Sequence, residues 1–190
     1  MKTIVVNSQD LGDVGTIDTY QTFPGDAVCD NLVDFYNEDK GTAYTVDDFE
    51  WDFDIDQIVK DFAKLRAKTL EEDADVIQSV KVLGTYSPKE YNYQTDSADF
   101  EITYDEQTVY DYIEEHATEY TEWYRNSGWY SATEWRDDDD ERREENREIA
   151  RLEYYLNHTL DHDTEYYAVA EQEFDIYYEN VTMKLIKETD

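Results

Sequence analysis

The sequence predicts an α+β fold in which a small antiparallel sheet packs with four to five amphipathic helices under a strongly acidic surface. Two periods support this, because short runs alternate apolar and polar residues as strands do, whereas longer segments repeat apolar residues every three or four positions as helices do. Two Pro and six Gly beside eighteen Tyr, seven Phe and four Trp are typical of a folded chain, since disordered chains are poor in aromatic residues. At 190 residues we expect one domain, 1–190, which would subdivide, if anywhere, near 126–140.

The N-terminal region reads as a hairpin followed by a helix. Residues 3–6 are a β-branched run, Gly12 and Gly15 indicate a turn, and residues 16–23 alternate as a partner strand would. Residues 27–36 then predict a helix. Its inward side would hold Val28, Leu32, Phe35 and Tyr36.

The segment 44–56 has the most regular alternation in the chain. It predicts a strand with large apolar residues on one face and carboxylates on the other, spaced at about 6.6 Å. The carboxylates of this first acidic track are Asp48, Glu50, Asp52, Asp54 and Asp56. From about Ile55 the period becomes helical as far as Leu70.

A second acidic track follows two predicted strands, 76–86 and 99–104. Residues 107–124 repeat Val109, Ile113, His116, Tyr120 and Tyr124 at helical spacing. The opposite side of this predicted helix carries Asp111, Glu115, Glu119 and Glu122. Between Glu90 and Tyr124 there are eleven carboxylates and no Lys or Arg.

The C-terminal third predicts a loop or short helical turn at 125–136 and a helix at 141–160. That helix would bury Ile149, Leu152 and Leu156 and expose a lattice of Arg and Glu, including Glu148. Residues 166–186 fit a helix better than a strand at 173–177.

The net charge of −33 is the strongest functional signal. It equals the charge on about 56 Å of duplex DNA, at one charge per 1.7 Å. Direct binding to nucleic acid or to an anionic membrane needs a basic patch, so we expect neither, and we expect a basic protein partner. The first ten residues lack the apolar core of a signal peptide, which favours the cytoplasm, the host cell's if the protein is phage-encoded.

No motif in the sequence predicts catalysis, a cofactor or a metal site. An EF-hand starting at Asp52 fails because Gln57 stands at the required Gly and Ala63 at the required Glu. His158 and His162 have metal-ligand spacing, but no Cys or His-Glu-x-x-His pattern accompanies them, so we expect exposed histidines at a helix end rather than a metal site. The single cysteine, Cys29, lies among apolar residues and is expected to be a buried thiol. We therefore expect a protein that is not an enzyme.

The run Ser87-Pro88-Lys89-Glu90-Tyr91-Asn92-Tyr93-Gln94-Thr95-Asp96 resembles a segment of small acidic proteins from phages and mobile elements. In those proteins it links two strands before an acidic, aromatic helix, and the resemblance extends to about Tyr124. It implies a phage or mobile-element origin. In composition the chain is also similar to DNA-mimic antirestriction and anti-CRISPR proteins.

The leading hypothesis is therefore a DNA-mimic inhibitor whose two acidic tracks occupy the basic groove of a restriction-modification or CRISPR nuclease. One alternative is an acidic adaptor or chaperone for a basic protein. Another is a phage sponge for an immune signalling nucleotide, which would need a basic pocket built from Arg136, Arg142, Arg143 and Arg147. The partners considered also include a second copy of the chain, in a homodimer.

Overall fold

The computed structural model describes residues 1–17, 26–87, 96–134, 140–160, 172 and 175–186. Residues 18–23 of the predicted hairpin, residues 88–95 of the phage-like segment, Arg136 and His162 lie outside the described residues. The fold is α+β, as predicted. The helices are α1 (Asp26–Lys40), α2 (Ile55–Asp73), α3 (Glu106–Glu115), α4 (Ala117–Asn126), α5 (Gly128–Glu134) and α6 (Asp140–Thr159). The strands are β1 (Lys2–Asn7), β2 (Phe49–Phe53), β3 (Ile77–Tyr86), β4 (Ser97–Tyr104) and β5 (Val181–Leu185).

The chain divides into two compact units. The first comprises Met1–Ile17, Ala63–Thr85 and Ser97–His162. The second comprises Asp18–Phe62, Tyr86–Asp96 and Asp163–Asp190. Residues 126–140, where the sequence suggested a subdivision, fall within the first unit. The single domain stays a prediction.

The first unit is built on a three-stranded sheet in the order β1-β4-β3. β1 pairs with β4 in antiparallel register from Lys2 opposite Tyr104 to Asn7 opposite Asp99. After β1 the chain forms a short 3-10 helix, Ser8–Val14, where the sequence predicted only a turn, and Thr16 and Ile17 are not in a strand; the rest of the predicted partner strand lies outside the described residues. The β4 residues Phe100, Ile102 and Tyr104 are fully buried, as alternation predicts for one face of a central strand.

Gly12 shapes the turn inside that 3-10 helix. Its φ of 64° and ψ of −147° belong to a region that is essentially restricted to glycine. A Cβ at Gly12 would also lie 3.1 Å from both Asn157 Nδ2 and Glu153 Oε1 of α6. The Asn157 amide in turn donates to the Leu11 carbonyl at 2.8 Å, so the turn is bonded closely to α6.

The second unit contains α1 and a two-stranded antiparallel sheet, in which β2 pairs with β5 from Phe49 opposite Leu185 to Phe53 opposite Val181. The prediction of a helix through 186 is wrong at this point. Residues 175–179 are helical, but 181–185 form a strand because β2 offers them an edge to pair with. Cys29 of α1 is buried, as predicted.

Candidate functional site

The second acidic track lies on α3 and α4. Asp111 and Glu115 belong to α3, Glu119 and Glu122 to α4, and all four side chains are exposed. Asp111 and Glu115 are four residues apart on α3, and Glu119 and Glu122 are three apart on α4, so each pair lies about one helical turn apart on one side of its helix. Among the described residues no ion pair reaches Glu115, Glu119 or Glu122, and Asp111 accepts a hydrogen bond from Gln107 Nε2 at 2.8 Å. We call these four residues the helix row.

The helix that carries the row is broken, whereas the sequence predicted one continuous helix over 107–124. His116 has φ −115° and ψ 33°, and it ends α3 and begins α4. Its ring stacks on Tyr112 at 4.1 Å between centroids, and its Nδ1 lies 2.9 Å from the Tyr112 carbonyl oxygen. His116 thus separates α3 from α4 and divides the row into two pairs, Asp111 with Glu115 and Glu119 with Glu122.

An aromatic cluster holds α3 and α4 against α6. Its centre is Tyr154 of α6, which is buried and contacts the rings of Tyr112, Tyr120 and Trp123 at 6.3, 5.1 and 5.2 Å between centroids. Burial is the main cause that raises the pKa of Tyr120 to about 12. Because large rings anchor the inner side of both helices, the carboxylates on the outer side stand on an ordered support.

The start of α3 is fixed by Asp105. Its carboxylate accepts hydrogen bonds from the backbone N–H of Gln107 at 3.1 Å and of Thr108 at 3.3 Å, and from the Thr108 hydroxyl at 2.9 Å. The hydrogen bonds from Thr108 lower the pKa of Asp105 below its ordinary value. Asp105 is therefore the N-cap of α3, and the hydrogen bonds that it accepts stabilise its own charged carboxylate.

A buried ionic network joins β1, β4, α3 and α6. Glu148 is 3 % exposed and accepts hydrogen bonds from Tyr104 at 3.1 Å and Tyr110 at 2.7 Å. Lys2 Nζ and Arg151 Nη1 approach the same carboxylate at 2.9 and 3.0 Å. Arg151 also lies 4.9 Å from the centroid of the Tyr110 ring. The carboxylate is thus surrounded by donors and cations, as a buried charge requires.

The network shifts the protonation equilibria of its members. Burial alone would raise the pKa of Glu148, but hydrogen bonds from Tyr110 and Lys2 and the charges of Lys2 and Arg151 outweigh it and lower the pKa. Burial and the bonded carboxylate raise the pKa of Tyr110 to about 12 and that of Tyr104 further. The sequence prediction that Glu148 is a surface residue is wrong. The available signal was its spacing of four from Leu152, which places both on the inner side of α6.

The first acidic track is only partly a strand. On β2, Glu50 and Asp52 are exposed, while Phe49 is buried and Trp51 and Phe53 are half-buried, which confirms the predicted alternation. The predicted strand over 44–56 is nevertheless too long, since β2 ends at Phe53 and a 3-10 helix, Val46–Asp48, precedes it.

The remaining carboxylates of the first track have local structural partners. Asp48 accepts from the backbone N–H of Thr45 at 2.7 Å and from its hydroxyl at 3.1 Å. Asp54 accepts from the Gln57 N–H at the start of α2 at 3.1 Å. Asp56 stands in the first turn of α2 and accepts from the Ser87 hydroxyl at 3.0 Å. Asp48 lies in the 3-10 helix before β2, Asp54 caps the start of α2 and Asp56 lies within α2, so these three do not continue the β2 face.

A basic residue also faces the first track. In the β2–β5 register Glu50 lies directly opposite Lys184, and Asp52 lies opposite Thr182. Cross-strand partners have Cβ atoms about 4.5–5.5 Å apart, so the charge of Lys184 offsets that of Glu50. Of the two tracks, the helix row is therefore the more continuous negative surface.

A third group of carboxylates surrounds the 3-10 turn near Gly12. Burial raises the pKa of Glu153, and the negative charges of Asp10 and Asp13 raise it further, although the Trp129 indole N–H donates to the Glu153 carboxylate.

In the described part of the chain no group of three or more His, Cys, Asp or Glu side chains is arranged to hold a metal ion. His158 stacks on Tyr154 at 3.9 Å between centroids, with Nδ1 2.7 Å from its carbonyl oxygen.

Two further observations concern membrane-spanning helices and similarity to known proteins. Within the described ranges, none of the helices combines the length and apolar character needed to cross a membrane. No protein-family model, curated protein or solved structure matches this chain.

Proposed function

We propose that the protein is a DNA-mimic inhibitor that occupies the basic nucleic-acid groove of a host defence nuclease, either a restriction-modification complex or a CRISPR effector. The observation that supports this is the helix row. Within α3 and within α4 its exposed carboxylates lie about one helical turn apart, roughly 4.5–6 Å of axis per charge, against about 3.4 Å per phosphate along one strand of B-form DNA. Row and strand thus have similar charge density.

The row is also suited to competition because it is held in place. Tyr154 and its aromatic neighbours anchor α3 and α4, and Asp105 fixes where α3 begins. A preordered row loses little conformational entropy when a basic groove closes on it. The target's substrate would be excluded by occupation of the groove, and no chemistry on the inhibitor is needed. This function places the protein in the cytoplasm of the host cell.

Binding of this kind should depend strongly on salt. The carboxylates of the row are exposed, so their attraction to a basic groove is screened over a Debye length of about 8 Å at physiological ionic strength. Displacement of the counterions that surround both partners adds to this dependence. An interaction that persisted unchanged from low to high salt would rest on apolar contacts instead.

The nucleotide-sponge alternative gains little from the arginines that would have to form its pocket. Arg147 bridges Glu134 at 3.1 Å and Glu144 at 3.4 Å, and Arg143 approaches Asp140 at 3.8 Å. These side chains are engaged with carboxylates on or beside α6. The adaptor alternative differs from mimicry in its partner, and the following experiment separates the two.

The test is capture of proteins from bacterial lysate by the immobilised full-length chain at low and high salt, with identification by mass spectrometry. The row variant E115Q/E119Q/E122Q is compared with D30N/E145Q/E179Q, which removes three exposed carboxylates at scattered positions. Both variants lower the net charge from −33 to −30, since each loses three charges.

We expect a nuclease subunit to be captured by the wild type and by the scattered variant. The row variant should bind it about tenfold to a hundredfold more weakly, because three exposed ion pairs contribute about 0.5–1 kcal/mol each. Added duplex DNA should elute the captured subunit. Capture of histone-like or ribosomal proteins alone, or equal binding by both variants, would overturn the proposal.

A further inference from the structure

Phe35 of α1 is an unusual surface residue. Its side chain is 77 % exposed, the largest fraction among the exposed large hydrophobic residues in the described ranges. The sequence predicted it to lie inward with Val28 and Leu32, and that prediction is wrong. Val28 is 3 % exposed and Leu32 is half-buried, so exposure increases along the stripe until Phe35 is uncovered.

The next residue shows that this exposure is not shared by the whole end of the helix. Tyr36 contacts Tyr44 and Phe49 at 6.1 and 5.2 Å between ring centroids, so it packs within the second unit. Phe35 makes no such ring contact within the described residues. Apolar surface of this kind is often where a partner docks, although isolated exposed residues are common and the surroundings must decide.

The surroundings of Phe35 are anionic. Glu38 is three residues later on the same side of α1, where Cβ atoms are about 5–6 Å apart. It is exposed, and no hydrogen bond or ion pair to it is present among the described residues. The neighbouring Asp39 is already paired with Lys40 at 2.8 Å. An open aromatic face and an available carboxylate therefore stand side by side.

We propose that Phe35 and Glu38 form a docking point for an arginine side chain of a partner protein. A guanidinium is planar, so it can stack on the Phe35 ring while its N–H groups donate to the Glu38 carboxylate. A lysine ammonium can pair with Glu38 but lacks the planar group that stacks. Charge complementarity favours this occupant over a purely apolar pocket, because a chain of charge −33 attracts cationic surfaces. The point lies on a different helix from the row and stands without it.

The test uses tetra-arginine and tetra-lysine peptides as probes in NMR titrations of the full chain. The ring resonances of Phe35 are assigned from their loss in F35L, which should fold normally because the side chain is exposed. We expect tetra-arginine to shift the Phe35 and Glu38 resonances more than tetra-lysine does. F35L should weaken tetra-arginine binding at Glu38 by about twofold to fivefold and leave tetra-lysine binding unchanged.

Two further variants complete the design. L83A, which truncates another exposed apolar side chain, should leave both titrations unchanged. E115Q/E119Q/E122Q should preserve the arginine preference at Phe35, so failure of the row as a partner site would not affect this result. Equal responses to the two peptides, unmoved Phe35 resonances, or an F35L variant with an unchanged arginine preference would each overturn the proposal.

Discussion

Replacing Glu148 with Gln should destabilise the first unit and change how its stability depends on pH. The substitution keeps the size of the side chain but removes the charge that faces Lys2 and Arg151 at 2.9 and 3.0 Å. It also replaces one carboxylate oxygen with an NH2 group, so the hydroxyls of Tyr104 and Tyr110 can no longer both donate to it. The network would lose its central acceptor.

The size of the effect follows from the burial of each member. Removing one partner of a buried ion pair costs about 3–5 kcal/mol. The side chains of Lys2 and Arg151 are 33 % and 20 % exposed, so water can solvate their charges in the variant and offset part of this destabilisation. We expect a decrease of about 2–4 kcal/mol in the free energy of unfolding, equivalent to about 5–15 °C in Tm for a protein of this size.

The pH dependence has a definite sign. The pKa of Glu148 in the folded state is below the ordinary value of 4.5, so the charged carboxylate stabilises the fold above pH 4.5. That contribution is lost as the pH falls below 4.5 and through the folded-state pKa. The difference between wild type and E148Q should therefore be largest near neutral pH and shrink below pH 4.5.

Urea unfolding followed by tryptophan fluorescence between pH 7 and pH 3.5 measures this difference. E145Q, an exposed carboxylate on the same helix, serves as the matched control and should stay within about 0.5 kcal/mol of the wild type. The reasoning is refuted if E148Q behaves like E145Q at neutral pH. It is also refuted if the gap between E148Q and wild type is independent of pH.

Three further predictions concern other parts of the chain. D54A should lower the free energy of unfolding by about 1 kcal/mol through loss of the cap on α2, whereas E50Q should change it by less than about 0.5 kcal/mol; equal urea midpoints for the two would contradict the assignment of Asp54 as a cap. G12A should lower the free energy of unfolding by about 1–3 kcal/mol, measured by thermal unfolding, because the Gly12 backbone strongly favours glycine. The loss should exceed that of G41A, since a Cβ at Gly41 meets no atom within 4 Å. E153Q should stabilise the protein near pH 7, because burial and then the charges of Asp10 and Asp13 disfavour the charged carboxylate and raise the pKa of Glu153. The gain should disappear in acid as the wild-type carboxyl becomes protonated, and a gain that persists at pH 3.5 would refute this.

The elements that the sequence predicted well are those whose pattern is local. Alternation of Phe49, Trp51 and Phe53 with acids identified the faces of β2, and helical spacing identified α2 and α6 to within a few residues. In each case one side of the element is buried. The period of the apolar residues therefore records the geometry of the element directly.

The elements that were missed depend on contacts between distant parts of the chain. The helix predicted over 166–186 rested on apolar spacing as far as Val181, whereas 181–185 alternate in polarity and pair with β2 as a strand. The burial of Glu148 requires Lys2 from the opposite end of the chain, which no local window contains. His116 shows a third limit, since one residue with ψ 33° interrupts a helix whose apolar period continues across it.

The candidate sites follow the same division. The helix row could be predicted because four exposed carboxylates at helical spacing need no distant partner to define them. The strand track could not be predicted correctly. Asp48, Asp54 and Asp56 act as local acceptors at turns and helix starts, and Lys184 faces Glu50 from a strand that the pattern did not reveal.

The placement of the few basic side chains favours a use for the row beyond solubility. The chain has 16 Lys and Arg against 49 Asp and Glu, so cations are scarce. In the described ranges, Arg147 and Arg151 make ion pairs with carboxylates on or beside α6, and Lys2 pairs with Glu148 and Glu106. No such pair reaches Glu115, Glu119 or Glu122 on the adjacent helices. If acidity served only to keep the protein in solution, interspersed charges of both signs would do so with less self-repulsion. Arg125, in the last turn of α4, is the one basic residue on the two helices of the row. Three exposed carboxylates without an ion pair, next to a helix that is rich in cations, are what a surface for a basic partner requires.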